Sequence, residues 1–482
     1  MQTHKISLLT IFVLACRLYA DADQHQASPS FFRHDGGVAD NAGTLPHKLD
    51  SGNQRFWRIE IPSGQSTPCL WQEHIFLTGF RAAEKQLVTL AVDLNTGKIL
   101  WERVAPADRI ESVHRIGNPA VSTPACDDRR VYVYFGSFGM LCYDFAGKPI
   151  WETPMGPFQD EFGAASSPVL AEGILVLNQD HDIENFLMGI DAATGKRLWK
   201  TPRPDATRSY SSPVVKKING SWQAVVAGAL ELSGYDLHDG SRLWWVDGLA
   251  RIVIPTPVFD EATCYVASWS PGGDTGSRLA MDPWPEAIAR WDPDGDGRIR
   301  RADLPEGPVT SRFFRIDLDQ DGSLDEQEWN RHAAVFRRAQ NAVLAVQLGG
   351  RGNLTDSAVS WKYSRGIPYV SSPLLHKDIL YMVKNGGILT SMRASDGRVL
   401  KQARLPGQGD YFASPVAGDG KVYLASVPGK VSIVTDEGDW SLITSHDFDE
   451  RIFATPVLAK GKILIRTEKA LYCFGANQIA DR

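Results

Sequence analysis

The chain has 482 residues, which by length alone would suffice for about three average domains. Apolar residues make up 43% and charged residues 22%, a balance that excludes a mostly disordered chain. The net charge of −6 offers no basic surface to a nucleic acid, and 43 Gly, 28 Pro and 14 Trp favour a β-rich protein over a helical bundle.

The N-terminus has the features of an export signal. Lys5 precedes a short apolar run, residues 6–16, and Ala20-Asp21-Ala22 provides a small-x-small cleavage site. The run is shorter than the about 20 residues that cross a bilayer, and no later segment is apolar enough, so no transmembrane segment is expected. Residues 1–22 are predicted to be a signal peptide. Alternatively, residues 13–16 resemble a lipoprotein box, which would place a lipid anchor on Cys16. Either reading predicts a periplasmic or extracellular protein.

A dipeptide, Ser-Pro or Thr-Pro, recurs along the chain and is the strongest signal in it. Successive prolines are 41 to 56 residues apart, except for one interval of 116. A fixed period of this length is typical of propellers and solenoids. The eight pairs end at Pro68, Pro124, Pro168, Pro213, Pro257, Pro373, Pro415 and Pro456.

Each repeat contains four short β-branched or aromatic runs separated by turns, which predicts four strands, A to D. Proline cannot donate to a ladder, so its strand is expected at an edge, as the innermost strand A. An Asp followed by Thr-Gly or Asp-Gly predicts a hairpin between strands C and D. Strand D carries a tryptophan that can wedge between neighbouring blades. These tryptophans are Trp101, Trp151, Trp199, Trp244 and Trp361.

Eight A strands predict an all-β, eight-bladed β-propeller of four-stranded antiparallel blades. The last repeat lacks its own strand D, and residues 55–61 supply a D-like segment, so this segment is expected to complete blade eight and close the ring. The propeller is predicted to occupy residues 52–270 and 341–475, with an insertion at 271–340 and a tail at 476–482.

Two repeat segments identify a family. Residues 95–101 (NTGKILW) and 193–199 (ATGKRLW), together with SSPV at 211–214, resemble the pyrroloquinoline-quinone-like β-propeller repeat. This repeat occurs in quinoprotein dehydrogenases and in the outer-membrane assembly scaffold BamB, which binds no quinone. The resemblance therefore implies the fold and leaves the function open.

The long interval contains two twelve-residue loops, residues 292–303 and 317–328, between strands B and C of blade five. Both match the EF-hand calcium loop, and an EF-hand pair on short helices is predicted there. Hard cations such as calcium prefer six to eight oxygens, which carboxylates and carbonyls at these spacings supply. The candidate ligands are Asp292, Asp294, Asp296, Arg298 and Asp303 in loop one, and Asp317, Asp319, Asp321, Ser323, Asp325 and Glu328 in loop two. Arg298 and Ser323 would contribute only backbone carbonyls.

The two loops are not equivalent. Glu328 can bind calcium through both oxygens and Asp325 can hold a bridging water, whereas loop one ends in the shorter Asp303 and carries Arg300. Loop two is therefore expected to bind more tightly. A structural role for calcium is favoured over a regulatory one. The acidic excess of residues 282–331 equals the net charge of the whole chain, −6.

The six cysteines are scattered and contain no CxxC, which excludes a disulfide framework or a zinc site. The favoured interpretation is isolated, buried, small apolar residues. They are Cys16, Cys69, Cys126, Cys142, Cys264 and Cys473.

Polar and aromatic residues just before the A strands are expected at the channel mouth, where propellers usually hold ligands. These candidates are Arg208, Tyr210, Arg251, Tyr369, Tyr411 and Arg451, with His114 beside them. Mutual stacking and hydrogen bonding of the loops is the alternative role. The segment Asp180-His181-Asp182, in the B–C turn of blade three, is interpreted as a solvated turn rather than a ligand.

These features favour a calcium-binding binding or scaffold protein of the cell envelope over an enzyme. Its partner would be a protein, a glycan or a small molecule at a propeller face. The alternative is an alcohol or sugar dehydrogenase that uses pyrroloquinoline quinone. The resemblance implies a vicinal cysteine pair for such a site, and this sequence has no adjacent cysteines, nor a nucleophile elbow, Walker loop, GxGxxG or HExxH motif.

Overall fold

The computed structural model describes residues 30–49, 55–206, 208–274 and 281–475. The predicted signal peptide, Cys16 and the tail at 476–482 lie outside these residues. The described chain contains eight antiparallel sheets built from strands A to D in sequence order, and an additional two-stranded sheet. The predicted eight-bladed propeller is confirmed.

Each Ser/Thr-Pro pair directly precedes or opens a strand A, as expected for an inner edge. The A strands are Cys69–Trp71, Ala125–Cys126, Val169–Ala171, Val214–Ile218, Val258–Phe259, Leu374–His376, Val416–Gly418 and Val457–Ala459. The B strands are His74–Arg81, Arg130–Phe135, Ile174–Gln179, Ser221–Ala227, Thr263–Ser268, Ile379–Lys384, Lys421–Ala425 and Lys462–Arg466. The C strands are Gln86–Asp93, Gly139–Asp144, Phe186–Asp191, Glu231–Asp236, Ala342–Gln347, Ile388–Arg393, Lys430–Thr435 and Ala470–Gly475. The D strands are Arg55–Glu60, Ile99–Val104, Pro149–Pro154, Arg197–Pro202, Arg242–Asp247, Val359–Tyr363, Val399–Arg404 and Leu442–Asp447.

The first strand closes the ring. Arg55–Glu60 pairs antiparallel with Ala470–Gly475, the last strand, and forms the outer strand of blade eight. The predicted closing segment is therefore confirmed. Closure pairs the two ends of the chain in one sheet and leaves no blade incomplete.

The strand-D tryptophans join neighbouring blades. The indole N–H of Trp57 donates to the Leu94 carbonyl of blade one at 3.0 Å, and Trp101 bonds Phe145 of blade two in the same way at 2.7 Å. The ring lies against the turn glycine of the next blade: a Cβ added to Gly97 would come within 2.7 Å of Trp57, and the φ of this glycine is +72°. The turn therefore needs glycine for both its conformation and its space.

Blade four departs from the pattern. Its tryptophan, Trp244, bonds Gln223 of its own blade, and Gly352–Asn353 adds a fifth, parallel strand beside it. Gly352–Asn353 belongs to the C–D connection of blade five, which has eleven residues (348–358), compared with four to six in blades one to four, six and seven. The prediction of four strands in every blade missed this addition.

Four α-helices lie in the described part of the insertion: α1 (Trp284–Trp291), α2 (Pro308–Ser311), α3 (Phe313–Ile316) and α4 (Glu326–Arg338). Two short 3₁₀ segments also occur, His34–Gly37 and Arg301–Asp303. The insertion has its own small core, in which Trp329 and Leu324 are fully buried. Helix α1 contacts α4 through aromatic rings, with Trp284 and Trp329 centroids 6.0 Å apart. No described helix is long and apolar enough to cross a membrane.

The segment 30–49 covers the channel on the face that carries the A–B turns. The Ser30 carbonyl accepts from Cys126 of blade two, and the Leu45 N–H donates to Asp419 of blade seven at 2.8 Å. Between these contacts the buried Arg33 donates to the prolyl carbonyls of blades six and seven. The open mouth of the channel is therefore on the opposite face, among the D–A loops.

The five described cysteines are all buried and unbridged. Cys69 and Cys126 are nevertheless not isolated, because their sulfurs lie 3.3 Å apart between the A strands of blades one and two. The expectation of isolated thiols is wrong for this pair. The two cysteines are separated in the sequence by about one repeat, so they occupy equivalent A strands, which lie side by side in the ring.

Candidate functional site

The hydroxyls before the prolines form a ring around the channel, and six of the eight neighbouring pairs are joined by a hydrogen bond in the described structure. The backbone N–H of one residue donates to the side-chain hydroxyl of its equivalent in the next blade. These bonds are 2.9 or 3.0 Å long and join Thr67 to Thr123, Thr123 to Ser167, Ser167 to Ser212, Thr256 to Ser372, Ser372 to Ser414 and Ser414 to Thr455. Sequence reasoning explained the proline but missed the hydroxyl, although Ser or Thr occupies all eight positions.

The residue three positions before each proline lines the channel mouth. Together with the hydroxyl ring and nearby loop residues, these side chains enclose a cavity of about 170 Å³. None of the described residues that line it is charged. The eight repeat positions are Gln65, Val121, Ala165, Tyr210, Ile254, Val370, Phe412 and Phe453. The mouth is thus an uncharged, largely apolar opening held by a rigid ring.

The insertion folds over this same face. It replaces the B–C turn of blade five, and B–C turns share a face with the D–A loops. Gln159, in the loop that enters blade three, donates to the Leu318 carbonyl in loop two. Arg315 pairs with Glu161 of the same loop at 3.0 Å. The insertion is therefore not peripheral, because loop two contacts the loop between blades two and three.

The two acidic loops pair with each other. Ile299–Arg300 and Ser323–Leu324 form a two-stranded antiparallel sheet in which Ile299 faces Leu324. Both side chains are fully buried. Position 8 of each loop therefore packs the loops together.

The carboxylates of each loop converge on one point. Oxygens of Asp317, Asp319 and Asp321 lie within 4.8 Å of one another, as do those of the equivalent triplet in loop one. Asp317 also accepts the N–H groups of Asp321 and Gly322 at 3.1 and 3.0 Å, which holds the loop in a tight turn. Converging carboxylates with this turn suit a hard cation.

Glu328 closes loop two from helix α4. Its oxygens accept from Leu318 N–H at 2.6 Å and Asp325 N–H at 3.2 Å, while Asp325 caps the helix by accepting from Glu328 N–H. Burial raises the pKa of both Asp317 and Glu328. A cation bound in this loop would stabilise the ionised form of both groups.

Loop one carries its own counter-charge. Arg300 pairs with Asp294 at 3.0 Å and also with Asp296, and its N–H donates to Asp303. Arg298 pairs with Asp321 of loop two. The side chain at position 9, Arg300, would therefore compete with a bound cation for the carboxylates of loop one.

The segment 180–182 is buried, so its interpretation as a solvated turn is wrong. Asp180 is 2% exposed and receives a bidentate contact from Arg203 at 2.8 and 2.9 Å. Asp182 is 1% exposed and pairs with Arg208. These ion pairs fasten the loop that enters blade four to the B–C turn of blade three.

A further buried carboxylate, Asp160, contacts two polar side chains beside this turn. Tyr210 donates to it at 2.7 Å, and the His181 ring lies 3.3 Å from it while stacking on Phe158 with centroids 4.3 Å apart. Burial raises the pKa of Tyr210 well above its usual range, because ionisation beside Asp160 is costly.

A cleft of about 1100 Å³ separates the insertion from the loops of blades two and three. Glu111, on its wall, has both carboxylate oxygens buried and without a hydrogen bond of normal geometry. Burial, with a smaller effect from Asp160, raises the pKa of Glu111 to about 8. Glu111 is therefore a neutral acid at neutral pH, and sequence reasoning gave no signal for it.

The channel-mouth candidates separate into three places. Tyr210 and Tyr369 line the mouth cavity, whereas Arg208 and Arg251 line a smaller pocket beneath the insertion. Tyr411 is fully buried in the blades and donates to the Gly407 carbonyl, so it does not reach the mouth.

The remaining two candidates lie at the rim. Arg451 is exposed, lies 4.6 Å from the centre of the Phe453 ring and is 3.9 Å from Glu468. His114 borders the cleft and meets the Phe162 ring edge-on at 5.2 Å. Of the seven candidates, Tyr210 and Tyr369 line the mouth cavity, and the others lie in the pocket, in the blades or at the rim.

The closed ring of eight blades, each with a Ser-Pro or Thr-Pro pair before its strand A, defines the class of the protein as a pyrroloquinoline-quinone-like β-propeller. The chain belongs to the family described as outer membrane protein assembly factor BamB, whose model matches residues 84–248 and 335–478, more than half of the chain. Most of the insertion falls in the interval between the two matched ranges.

Individual relatives agree with this family. The outer membrane protein assembly factor BamB of Moranella endobia (strain PCIT) is 28% identical over 176 residues, covering 35% of this chain and 40% of that protein. The match thus spans well under two thirds of the relative. The crystal structure of BamB from Moraxella catarrhalis has a TM-score of 0.55 at 10% identity and covers 88% of this chain and 99% of that one. A europium-containing methanol dehydrogenase has a TM-score of 0.51 at 9% identity, covering 95% and 100%. Both structures share the fold with this protein.

Proposed function

We propose that this protein is an exported binding or scaffold protein of the cell envelope, and that the mouth-side face holds a protein partner. The observation that carries the proposal is the uncharged mouth itself. It is framed by apolar and aromatic side chains, including Phe412 and Phe453, on a face otherwise rich in ion pairs. An apolar patch with a charged surround is typical of a protein interaction site.

The family supports the same role. The relative from Moranella endobia carries the name of an outer membrane protein assembly factor, which is a role exerted on other proteins. Export fits the predicted signal peptide. A lipid anchor at Cys16 remains an alternative prediction for how the chain is retained in the envelope.

The partner is tested by co-purification from cross-linked envelopes of the native host. Phe453→Asp places a charge in the mouth, and we expect it to lose a protein that the wild type retains. Arg129→Asp is the matched control, because Arg129 is exposed in the A–B turn of blade two on the opposite face. Equal recovery from both variants, or recovery of only glycans or small molecules, would contradict a protein partner at the mouth.

We further propose that the insertion binds two calcium ions, more tightly in loop two, and that they hold the insertion against the propeller. The converging carboxylates support this, as does the contact of Gln159 with Leu318 inside loop two. The ions would be held by the carboxylates of both triplets, by the loop carbonyls of Arg298 and Ser323, and by Glu328. A cation in loop two would fix the backbone that meets blade three.

Calorimetry with calcium chloride tests this assignment. Wild type is expected to bind two ions, and Glu328→Ala to lose the tighter one. Glu326→Ala is the control, since Glu326 lies on the same helix outside the predicted ligand set. If Glu328→Ala binds as many ions as tightly as wild type, the loop-two assignment is wrong.

Pyrroloquinoline quinone is the alternative cofactor, and the mouth cavity is a poor fit for it. The quinone carries several carboxylates, and the described residues that line the mouth include no cation. Adding the quinone with calcium and measuring a bound chromophore and dye-linked alcohol oxidation distinguishes an oxidoreductase from a binding protein.

A further inference from the structure

A second pocket lies beneath the insertion, separate from the mouth, with Leu318 and Glu328 of loop two on its wall. Its volume is about 40 Å³, and it lies between helix α4 and the loops that enter blades four and five. Water needs about 30 Å³ in the liquid, so the pocket has room for little more than one small polar group. Four arginines line it: Arg208, Arg251, Arg315 and Arg331.

The positive charge of this pocket is only partly balanced. Arg208 pairs with Asp182 and Arg315 pairs with Glu161. Arg251 and Arg331 have no carboxylate within 4.0 Å in the described part of the chain. Among the described residues, Arg251 donates to the Pro271 carbonyl, at 3.0 Å.

One carboxylate, Glu328, lies on the described wall of the pocket. Its two oxygens already accept the backbone N–H groups of Leu318 and Asp325. It therefore faces the calcium loop rather than neutralising the two unpaired arginines. Burial, with a smaller effect from the neighbouring Arg315, lowers the pKa of Arg251 to about 10.

The pocket also contains a polar atom with no partner. The Nε2 of His332, on helix α4, is buried and makes no hydrogen bond within the described structure. Buried polar atoms are nearly always bonded, so an orphaned nitrogen among arginines indicates a missing partner. A neutral imidazole can donate from Nε2 to an oxygen.

We propose that this pocket binds the oxyanion group, phosphate or carboxylate, of a small anionic ligand. Arg251 and Arg331 would supply the charge, and His332 would donate a hydrogen bond. Planar guanidinium groups suit the paired oxygens of either group. Arg208 and Arg315 line both this pocket and the large cleft beside it, so the rest of the ligand would extend into the cleft, past Glu111.

Isothermal calorimetry on the full chain tests this site, with inorganic phosphate and acetate as separate probes. The measurement is made without added calcium, so its outcome is independent of the calcium proposal, and at an ionic strength of about 0.15 M. Wild type is expected to bind at least one probe at a single site. The preferred probe distinguishes a phosphate ligand from a carboxylate ligand.

Two variants remove the unpaired charges separately, Arg251→Gln and Arg331→Gln. Each is expected to weaken binding at least tenfold, and Arg331→Gln keeps the test valid if Arg251→Gln fails to fold. Arg129→Gln, which removes an exposed arginine on the opposite face, should bind like wild type. Absence of heat with both probes in wild type, or equal weakening in all three variants, would overturn the proposal.

Discussion

The substitution Ser167→Ala tests why a hydroxyl precedes each proline. It removes the acceptor for the Thr123 N–H, a 3.0 Å bond between residues that are 3% and 2% exposed. A buried donor left without a partner costs about 1–3 kcal/mol. We therefore expect the free energy of unfolding to fall by about 1–3 kcal/mol. Removal of one oxygen atom leaves a cavity too small to increase this loss much further.

Urea unfolding, followed by tryptophan fluorescence, measures this loss. Ser167→Thr is the matched control, because threonine already fills equivalent positions such as Thr67 and Thr455 and keeps the hydroxyl. Ser112→Ala controls for loss of a hydroxyl at an exposed site. If Ser167→Ala is as stable as wild type, or Ser167→Thr loses as much, the hydroxyl ring does not stabilise the propeller.

Three further predictions follow from the buried charges and the loops. Asp180→Ala should lower the free energy of unfolding by about 3–5 kcal/mol, because it leaves Arg203 buried and unpaired; replacing both residues by alanine should restore part of the loss in the same urea assay. Glu111 has its pKa raised from 4.5 to about 8, so its contribution to stability is complete below about pH 4.5 and is lost as the pH rises to about 8. Urea unfolding across this window should show a flatter pH profile for Glu111→Gln than for wild type, and parallel profiles would refute the shift. Arg300→Gln should tighten calcium binding by loop one in calorimetry, because it frees two carboxylates; unchanged affinity would show that the arginine does not compete.

Much of the fold was predictable because the residues within each repeat determine the strands and turns of that repeat. Proline at the edge strand, glycine at the C–D turn and tryptophan on strand D are local requirements, and the missing last strand points to Arg55–Glu60. The fifth strand of blade four was not predictable. Gly352–Asn353 contains no strand-forming residue, and its pairing depends on a neighbouring blade.

The site was predictable only where its residues lie close together in the sequence. The carboxylates of loop two follow a fixed local spacing, so the sequence alone brings them together. The segment 180–182 looked solvated, because its partners Arg203 and Arg208 are supplied by a loop more than twenty residues away. Glu111 and His332 carry no motif. The surroundings of Glu111 come from the loop between blades two and three, with Asp160 and Ala164, whereas His332 lies on helix α4 of the insertion, beside Arg251.

The central claim is that the mouth-side face binds another protein. A photo-crosslinking amino acid at position 453, introduced into the chain in its native envelope, measures this directly, with the same amino acid at position 129 as the opposite-face control. The account predicts a discrete crosslinked protein from position 453 and none from position 129. No crosslinked protein at position 453, or the same products from both positions, would contradict it.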